Sequence, residues 1–353
     1  MDITKLLRPH ILHLKPYASA RDEYSGTEGV FLDANENPWG SITKEAYNRY
    51  PDPHQKHLKE KIAAIKQVAA SQIFLGNGSD EAIDLLIRAF CEPKQDHILI
   101  MPPTYGMYEV SAHINGIAVQ KVPLAADFQI NTEEVLETIT PHTKVIFICS
   151  PNNPTGNLLS VTAIETILAN FQGIIVIDEA YIDYRSDASW LTRLEAFPLL
   201  VVLQTFSKAW GLAALRLGMA FGSEDLIHIL NKIKPPYNIN EVTQRLVTEG
   251  LVNEAAMRSM VKDTLQLREG LALSLDEIPI VEKVYPSETN FLLVKFKSAA
   301  TVFQYLLEEK IIVRNRSQVV LCENCLRITV GTPSENKQLL VALEKFSERQ
   351  DRE

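Results

Sequence analysis

Four polar side chains of different types follow apolar runs in the middle of the chain. Tyr105 comes shortly after HILIM, Asn153 after VIFICS, Asp178 directly after IIVI, and Lys208 after LLVVLQTFS. If these runs are parallel strands, their carboxyl ends meet at one edge of a sheet, where open α/β sheets bind ligands. We therefore expect an aromatic ring, an amide, a carboxylate and an amine around one ligand. A lysine after a buried strand can be partly desolvated, which lowers its pKa toward that of a usable nucleophile.

A glycine-rich turn in LGNGSDE supplies a further candidate. Apolar residues recur after it with helical spacing, at positions 82, 83, 86, 87 and 90. This spacing predicts a helix whose amino terminus carries Gly78, Ser79 and Asp80. Free N–H groups and the positive end of the helix dipole favour a phosphate there, and Arg216 is the candidate cation that would offset the Asp80 carboxylate. The alternative is that Ser79 and Asp80 are ordinary helix caps.

A mostly parallel sheet is needed to position these side chains. From about residue 72 to 250, short apolar runs alternate with amphipathic helical stretches, a pattern typical of doubly wound α/β proteins. The runs are apolar on both faces, as strands between two helix layers must be. After about residue 260 the pattern changes to a smaller α+β lobe. We predict a large ligand-binding domain over 36–260, a small domain over 261–353, and an amino-terminal arm with part of the small domain over 1–35.

Composition and charge restrict the class of protein. The 353 residues suit about two domains. A formal net charge of -9, without a long basic run, argues against a nucleic-acid partner. The amino terminus contains neither a signal-peptide core nor a membrane-length apolar stretch, so we expect no membrane association and a cytoplasmic location.

The four cysteines indicate neither disulfides nor a metal site. Cys91 and Cys149 adjoin apolar segments typical of buried free thiols. Cys322 and Cys325 form a C-x-x-C, but structural zinc needs four ligands and no second Cys or His pair lies nearby. We expect a hairpin turn between strands here, and no metal.

Several runs, in order and spacing, resemble one enzyme family. NPTG at 153–156, DEAY at 178–181 and SKAWGLAALRLG at 207–218 resemble the fold-type I aminotransferases that use pyridoxal 5′-phosphate (PLP). The resemblance extends over most of the chain. Six further runs are similar to those of the histidinol-phosphate aminotransferases: LDANENPWG (32–40), NRYPDP (48–53), LGNGSDE (75–81), PPTYGMYEVSA (102–112), SETNF (287–291) and LRITVGT (326–332).

The resemblance implies PLP as cofactor, bound in the large domain, and a role for each candidate. Lys208 would carry it as a Schiff base and then act as general base and acid on the substrate's α-proton. Asp178 would pair with the pyridine nitrogen and keep it protonated. Asn153 and Tyr181 would donate to the phenolic oxygen. Tyr105 would stack on the ring.

The cofactor phosphate has a larger implied set of contacts. These are Gly78, Ser79 and Asp80, mainly through backbone groups, with Thr205, Ser207 and Arg216. Arginine suits a phosphate because its planar donors bind two oxygens at once. Tyr50, in NRYPDP, matches a tyrosine that reaches this phosphate across a dimer interface. The resemblance therefore implies a homodimer.

Substrate contacts implied by the resemblance are Tyr17, Asn153, Arg314 and Arg327. The expected reaction is amino transfer from L-histidinol phosphate to 2-oxoglutarate by a ping-pong cycle, giving imidazole-acetol phosphate and glutamate in histidine biosynthesis. One substrate carries a phosphate and the other two carboxylates, and guanidinium groups bind either anion.

Three alternatives remain at this point. An aromatic-amino-acid aminotransferase differs little, since imidazole and phenyl pockets are similar. A PLP-dependent decarboxylase of threonine phosphate shares NENP and RYPDP-like features. A PLP-fold regulator would need a separate DNA-binding helix-turn-helix domain, and no additional basic segment of that length is present.

Overall fold

A computed structural model describes residues 3–17 and 29–350 of the chain. A seven-stranded sheet forms the centre of the large domain, in the order β1-β7-β6-β5-β4-β2-β3. Its strands are β1 (Ile73–Asn77), β2 (His97–Ile100), β3 (Ala118–Lys121), β4 (Thr143–Cys149), β5 (Ile174–Asp178), β6 (Leu200–Thr205) and β7 (Leu217–Phe221). The pairs among β2 to β6 are parallel, whereas β7 runs antiparallel to both β1 and β6. The predicted mostly parallel sheet is confirmed.

Helices cover both faces of this sheet. Those of the large domain are α1 (Pro9–Leu12), α2 (Lys56–Lys66), α3 (Ser79–Phe90), α4 (Met107–Ile114), α5 (Thr132–Thr138), α6 (Val161–Asn170), α7 (Glu224–Ile233) and α8 (Glu241–Gly250). Short 3-10 helices lie at Ile3–Leu6, Ala70–Gln72, Ile182–Tyr184, Ser186–Ala188, Trp190–Arg193, Ala213–Leu215 and Leu251–Asn253. Successive residues of the central strands pack into different cores, with Ile177 and Val202 on one face and Val176 and Val201 on the other. This is why the strand runs are apolar throughout.

The small domain is built on a four-stranded antiparallel sheet in the order β10-β11-β9-β8. Its elements are β8 (Val281–Val284), α10 (Ala299–Glu308), β9 (Phe291–Phe296), β10 (Arg314–Asn315), β11 (Cys325–Thr329) and α11 (Pro333–Gln350). The apolar run IIVRN (311–315) pairs only at Arg314 and Asn315. Its residues Ile311 and Val313 instead pack against the small core without joining the ladder.

One long helix, α9 (Glu254–Asp276), connects the two domains. Near its start, Met257 and Val261 pack into the large-domain core, and near its end Leu271 and Leu275 belong to the small-domain core. The helix therefore crosses the boundary that we expected at residues 260 and 261.

The beginning of the chain packs on the large domain, although we had assigned residues 1–35 partly to the small one. Ile3 belongs to the buried core that also contains residues of α3 and α7, and Leu6 and Leu7 pack against it. The Arg8 N–H donates to the Ala89 carbonyl, and Lys232 donates to the Ile11 carbonyl. Residues 18–28 of the expected arm lie outside the described residues.

The chain has four cysteines, Cys91, Cys149, Cys322 and Cys325. All four are free and buried. Cys322 and Cys325 are joined by a turn in which the Cys325 N–H donates to the Cys322 carbonyl, directly before β11. Within residues 3–17 and 29–350, no cluster of acidic, histidine and cysteine side chains could hold a metal. Across the same ranges, no helix has the length and hydropathy to cross a membrane.

Candidate active site

The predicted site residues converge on one cavity of about 350 Å³. It lies at the carboxyl ends of β4, β5 and β6, between the large-domain sheet and the arginines of the small one. All of the predicted residues except Tyr17 and Tyr50 line it: Gly78, Ser79, Asp80, Tyr105, Asn153, Asp178, Tyr181, Thr205, Ser207, Lys208, Arg216, Arg314 and Arg327. The structure therefore brings the strand-end residues of the large domain to one cavity, while their individual roles stay predictions.

The amino terminus of α3 forms an open cradle at one end of the cavity. Gly78 is its N-cap residue at φ +72°, a left-handed conformation that favours glycine, and its N–H donates to the Arg216 carbonyl at 2.6 Å. A Cβ on Gly218 of β7 would lie 2.1 Å from the Ser79 nitrogen, so only glycine allows this approach. Among the described residues no side chain caps the helix, which argues against the capping alternative. The first-turn N–H groups remain available for an anion.

The Asp80 side chain lines the cavity beside the cradle and contacts two neighbouring side chains. Its carboxylate accepts a hydrogen bond from the Tyr105 hydroxyl at 3.0 Å and lies 3.6 Å from the Arg216 guanidinium. Burial, followed by the charge of Asp80, raises the pKa of Tyr105, so the phenol stays protonated. The two contacts offset the negative charge that would otherwise oppose a phosphate.

Asp178 is a buried carboxylate at the base of the cavity. Burial raises its pKa to about 6, against hydrogen bonds from the Tyr108 hydroxyl at 2.6 Å and the Ala180 N–H at 3.1 Å, which lower it. Tyr108 is itself buried and stacks on Phe147, with ring centroids 4.6 Å apart. Asp178 is thus held in a fixed position, from which its carboxylate can pair with a cationic group in the cavity.

The Lys208 side chain lines the same cavity as this carboxylate. Desolvation lowers its pKa first, and the neighbouring cations Arg327 and Arg216 lower it further, while Asp178 and Asp80 act in the opposite direction. Its Nζ lies 5.6 Å from the ring centroid of Tyr181. The amine is therefore easier to deprotonate than an ordinary lysine, as nucleophilic and general-base roles require.

Below Lys208, a hydroxyl pair fixes the turn after β6. The Thr205 hydroxyl donates to the Ser207 hydroxyl at 3.0 Å and accepts the Ser207 N–H at 3.1 Å. Both side chains face the same cavity as the cradle of α3. Their hydroxyl oxygens are suited to contact a bound phosphate.

The small domain reaches this site through Arg327. Its Nη1 donates to the Asn153 side-chain oxygen at 2.5 Å, and its guanidinium lies 5.2 Å from the centroid of the Phe291 ring. In the sheet, Arg327 is paired with Arg314. Asn153 is therefore a contact between the two domains as well as a lining residue.

Two predicted residues do not line the cavity of their own chain. Tyr50 is half exposed and stacks on Tyr237 with centroids 4.4 Å apart, beside a separate depression. Tyr17 is 75% exposed. The role expected for Tyr50 involves a second subunit, that of Tyr17 is a substrate contact, and both stay predictions.

Four further candidate functional residues were not predicted from the sequence. Cys149, Ala180 and Arg316 line the cavity, and Tyr108 holds Asp178 from outside its lining. Tyr108 follows Tyr105 by three residues, but this spacing is no helical signal, because Tyr105 precedes α4 and the helix begins at Met107. Arg316 alternates with Arg314, but it lies beyond the two residues of that segment that pair in the sheet.

Comparison with known proteins is consistent with this geometry. A sequence profile of the family "Aminotransferase class I and II" matches residues 29–343. A relative from Cytophaga hutchinsonii, named histidinol-phosphate aminotransferase, is 53% identical over 344 residues, which cover 98% of this chain and 99% of the relative. One of the same name from Parabacteroides distasonis is 53% identical over 345 residues, 98% of this chain and 99% of that protein. The crystal structure of a Sinorhizobium meliloti histidinol-phosphate aminotransferase in complex with PLP superposes with a TM-score of 0.80 at 20% identity, covering 90% of each chain.

The chain belongs to the class I and II aminotransferases. It is therefore a PLP-dependent enzyme, and the fold and cofactor predictions are confirmed. The lining fits the cofactor: the glycine-walled cradle of α3 with Arg216 suits its phosphate, the buried Asp178 suits its ring nitrogen, and Lys208 suits its aldehyde carbon.

Proposed function

We propose that the enzyme transfers the amino group of L-histidinol phosphate to 2-oxoglutarate, yielding imidazole-acetol phosphate and glutamate. The observation that carries this proposal is a pair of small-domain arginines, Arg314 and Arg327, in the lining of the cofactor cavity. The names of the relatives that match along nearly the whole chain support the same donor.

The residues around the cavity have distinct tasks in such a reaction. When bound, PLP supplies an electron sink for the bond broken at the amine-bearing carbon. Lys208 Nζ takes the proton from that carbon and delivers it to the carbon on the other side of the nitrogen. The lowered pKa of Lys208 increases the fraction of neutral amine that can accept this proton. Asp178, held by Tyr108, keeps the proton on the ring nitrogen. Asn153 and Tyr181 orient the ring's oxygen side.

A ping-pong cycle follows from the use of one cavity for two substrates. Histidinol phosphate has a phosphate and no carboxylate, whereas 2-oxoglutarate has two carboxylates. Arg314 and Arg327 can bind either anion through paired N–H donors. Each substrate therefore excludes the other from the same arginines.

We also propose that the active unit is a homodimer in the cytoplasm. Apolar side chains are strongly exposed along the segment that carries Tyr50: Val30, Leu32, Trp39 and Ile42 are each more than 85% exposed. An exposed apolar segment of this kind favours burial against another chain. The partner would receive Tyr50 at its own site. Four free cysteines support a reducing compartment.

The direct test supplies the purified PLP-loaded enzyme with one amino donor at a time and measures glutamate formed from 2-oxoglutarate. We expect glutamate with L-histidinol phosphate at a far higher kcat/KM than with phenylalanine. Carbon dioxide release from threonine phosphate without amino transfer would instead identify a decarboxylase. A preference for phenylalanine would identify an aromatic aminotransferase.

A further inference from the structure

Three arginines of the small domain enter the active-site cavity. Arg327 lies opposite Arg314 in the β10–β11 pair, and the Arg316 N–H, just beyond that pair, donates to the Cys325 carbonyl. Arg314 and Arg316 are two residues apart in an extended segment, so their side chains leave the same side of the chain. All three line the cavity, and Arg316 has no role in the function proposed above.

The charge of the cavity is unbalanced around Arg316. The lining contains two carboxylates, Asp80 and Asp178. Asp80 already lies beside Arg216, and Asp178 is hydrogen-bonded to Tyr108. The strongest charge interactions of Arg316 are instead with the other two arginines, Arg327 and Arg314.

The hydrogen-bonding capacity of the Arg316 guanidinium is also not fully used within the protein. Among the described residues, its buried Nε has no hydrogen-bond partner. Burial lowers the pKa of Arg316, and repulsion from Arg327 and Arg314 lowers it further. A buried charged donor without an acceptor is costly, so a ligand that brings negatively charged oxygens would relieve both penalties.

A second cavity next to Arg316 offers space for the rest of such a ligand. This cavity, of about 710 Å³, adjoins the first and is lined by the same two arginines, Arg314 and Arg316. Beyond them this second cavity is mainly apolar, with Met107, Val110 and Val319 in its wall. Arg316 therefore stands where the cofactor cavity opens into a larger apolar space.

We propose that Arg316 binds the phosphate of the amino donor and sets the preference for phosphate monoesters over donors that lack a phosphate. The inference rests on the proposed function and adds a specificity-determining residue to it. Arg316 and Arg327 each have a buried Nε without a hydrogen-bond partner among the described residues, but Arg327 is already oriented by Asn153 through its Nη1. A dianionic phosphate has enough acceptor oxygens for more than one guanidinium.

The experiment compares Arg316→Gln and Arg316→Lys with the wild-type enzyme on histidinol phosphate and on L-histidinol, which lacks only the phosphate. We expect Arg316→Gln to raise KM for histidinol phosphate roughly 10- to 100-fold, the range for a lost charge-assisted hydrogen bond, with a smaller change in kcat. L-histidinol should be affected little. Arg316→Lys should recover part of the loss, since it keeps the charge but not the paired donors. Competitive inhibition by inorganic phosphate should weaken in parallel.

Arg258→Gln is the matched control, because it removes an exposed arginine of α9. Thermal unfolding and the absorbance of bound PLP establish that each variant is folded and loaded. Equal losses with both donors, or unchanged KM and phosphate inhibition in Arg316→Gln, would overturn the role of Arg316 while leaving the proposed function intact. A wild-type enzyme that does not use histidinol phosphate would overturn both, and that result needs no variant.

Discussion

Two buried carboxyl groups stand next to each other at the end of β5, on opposite faces of the large sheet. Asp178 faces the cofactor cavity, where Tyr108 and the Ala180 N–H are its partners. Glu179 faces the other way and accepts hydrogen bonds from the Trp190 N–H, the Ser189 hydroxyl and the Gln204 amide. Burial raises both pKa values, to about 6 and about 7.

The difference lies in what each carboxyl group has left to bind. Asp178 still borders an open cavity, beside an amine of lowered pKa. Glu179 already receives donors at both oxygens from its own domain. A raised pKa is therefore no mark of function by itself. We call the face of the sheet that carries Asp178 the catalytic face and the one that carries Glu179 the opposite face. The catalytic face differs in having a charged group that the fold leaves open to a ligand.

The largest expected effect comes from removing the amine on the catalytic face. Lys208→Ala should abolish the absorbance of lysine-bound PLP and lower kcat by at least about 10²- to 10⁴-fold, the usual contribution of a general acid–base group. Absorbance spectra and glutamate assays check both. Lys66→Ala, which breaks an ion pair with Asp183 beside the opposite face, is the control. Retention of the full PLP band in Lys208→Ala would refute the central assignment.

Substitution of the two neighbouring carboxyl groups by their amides tests the comparison itself. Asp178→Asn removes the charge that would hold the ring proton and should reduce kcat by about 10²- to 10³-fold, as removal of a preorganised electrostatic partner does. Glu179→Gln should leave kcat close to that of the wild type. Steady-state kinetics on folded, PLP-loaded protein give the answer. If the two amides had similar effects on kcat, the assignment of Asp178 to the catalytic face would fail.

A smaller effect is expected for the residue that holds Asp178. The Tyr108 hydroxyl lowers the pKa of Asp178, so Tyr108→Phe should raise that pKa. The acidic limb of the kcat/KM profile should then move to higher pH, with a loss of roughly tenfold near neutrality for one charge-assisted hydrogen bond. Tyr285→Phe, which removes a hydroxyl from a ring packed on Phe128, should leave the profile unchanged. An unshifted acidic limb in Tyr108→Phe would argue that Tyr108 serves packing alone.

The sequence predicts the catalytic face better than the opposite one, for a physical reason. Lys208, Asp178 and Asn153 follow parallel strands, so local apolar runs are enough to bring them to one edge. Tyr108 depends on the exact start of α4, and Arg316 on an extended segment that barely pairs, so neither is fixed by a regular pattern. The partners of Glu179 are drawn from β6 and from the turn near residue 190, contacts that no periodicity contains. The contact predicted for Tyr50 belongs to a second subunit, which no pattern within one chain positions.

The smallest effect on catalysis, and the clearest on stability, is expected on the opposite face. The pKa of Glu179 is about 7 in the folded protein against 4.5 when exposed, so the folded state binds its proton more tightly. The protonated Glu179 carboxyl group contributes fully to the free energy of unfolding below pH 4.5, and this contribution is lost as the pH rises through about 7. The difference amounts to about 3 kcal/mol between these limits.

Glu179→Gln cannot ionise, so it should lack this loss. The amide also fits, because Gln204 has a buried Oε1 without a partner among the described residues and can reverse its own amide to accept from the new NH₂ group. Denaturant unfolding of both proteins from pH 5 to pH 8 measures the effect as a difference between two curves, which cancels the other titrating groups. The variant should gain stability relative to the wild type as the pH rises. A difference that stays constant with pH would mean that Glu179 is ionised throughout, with its three donors outweighing burial.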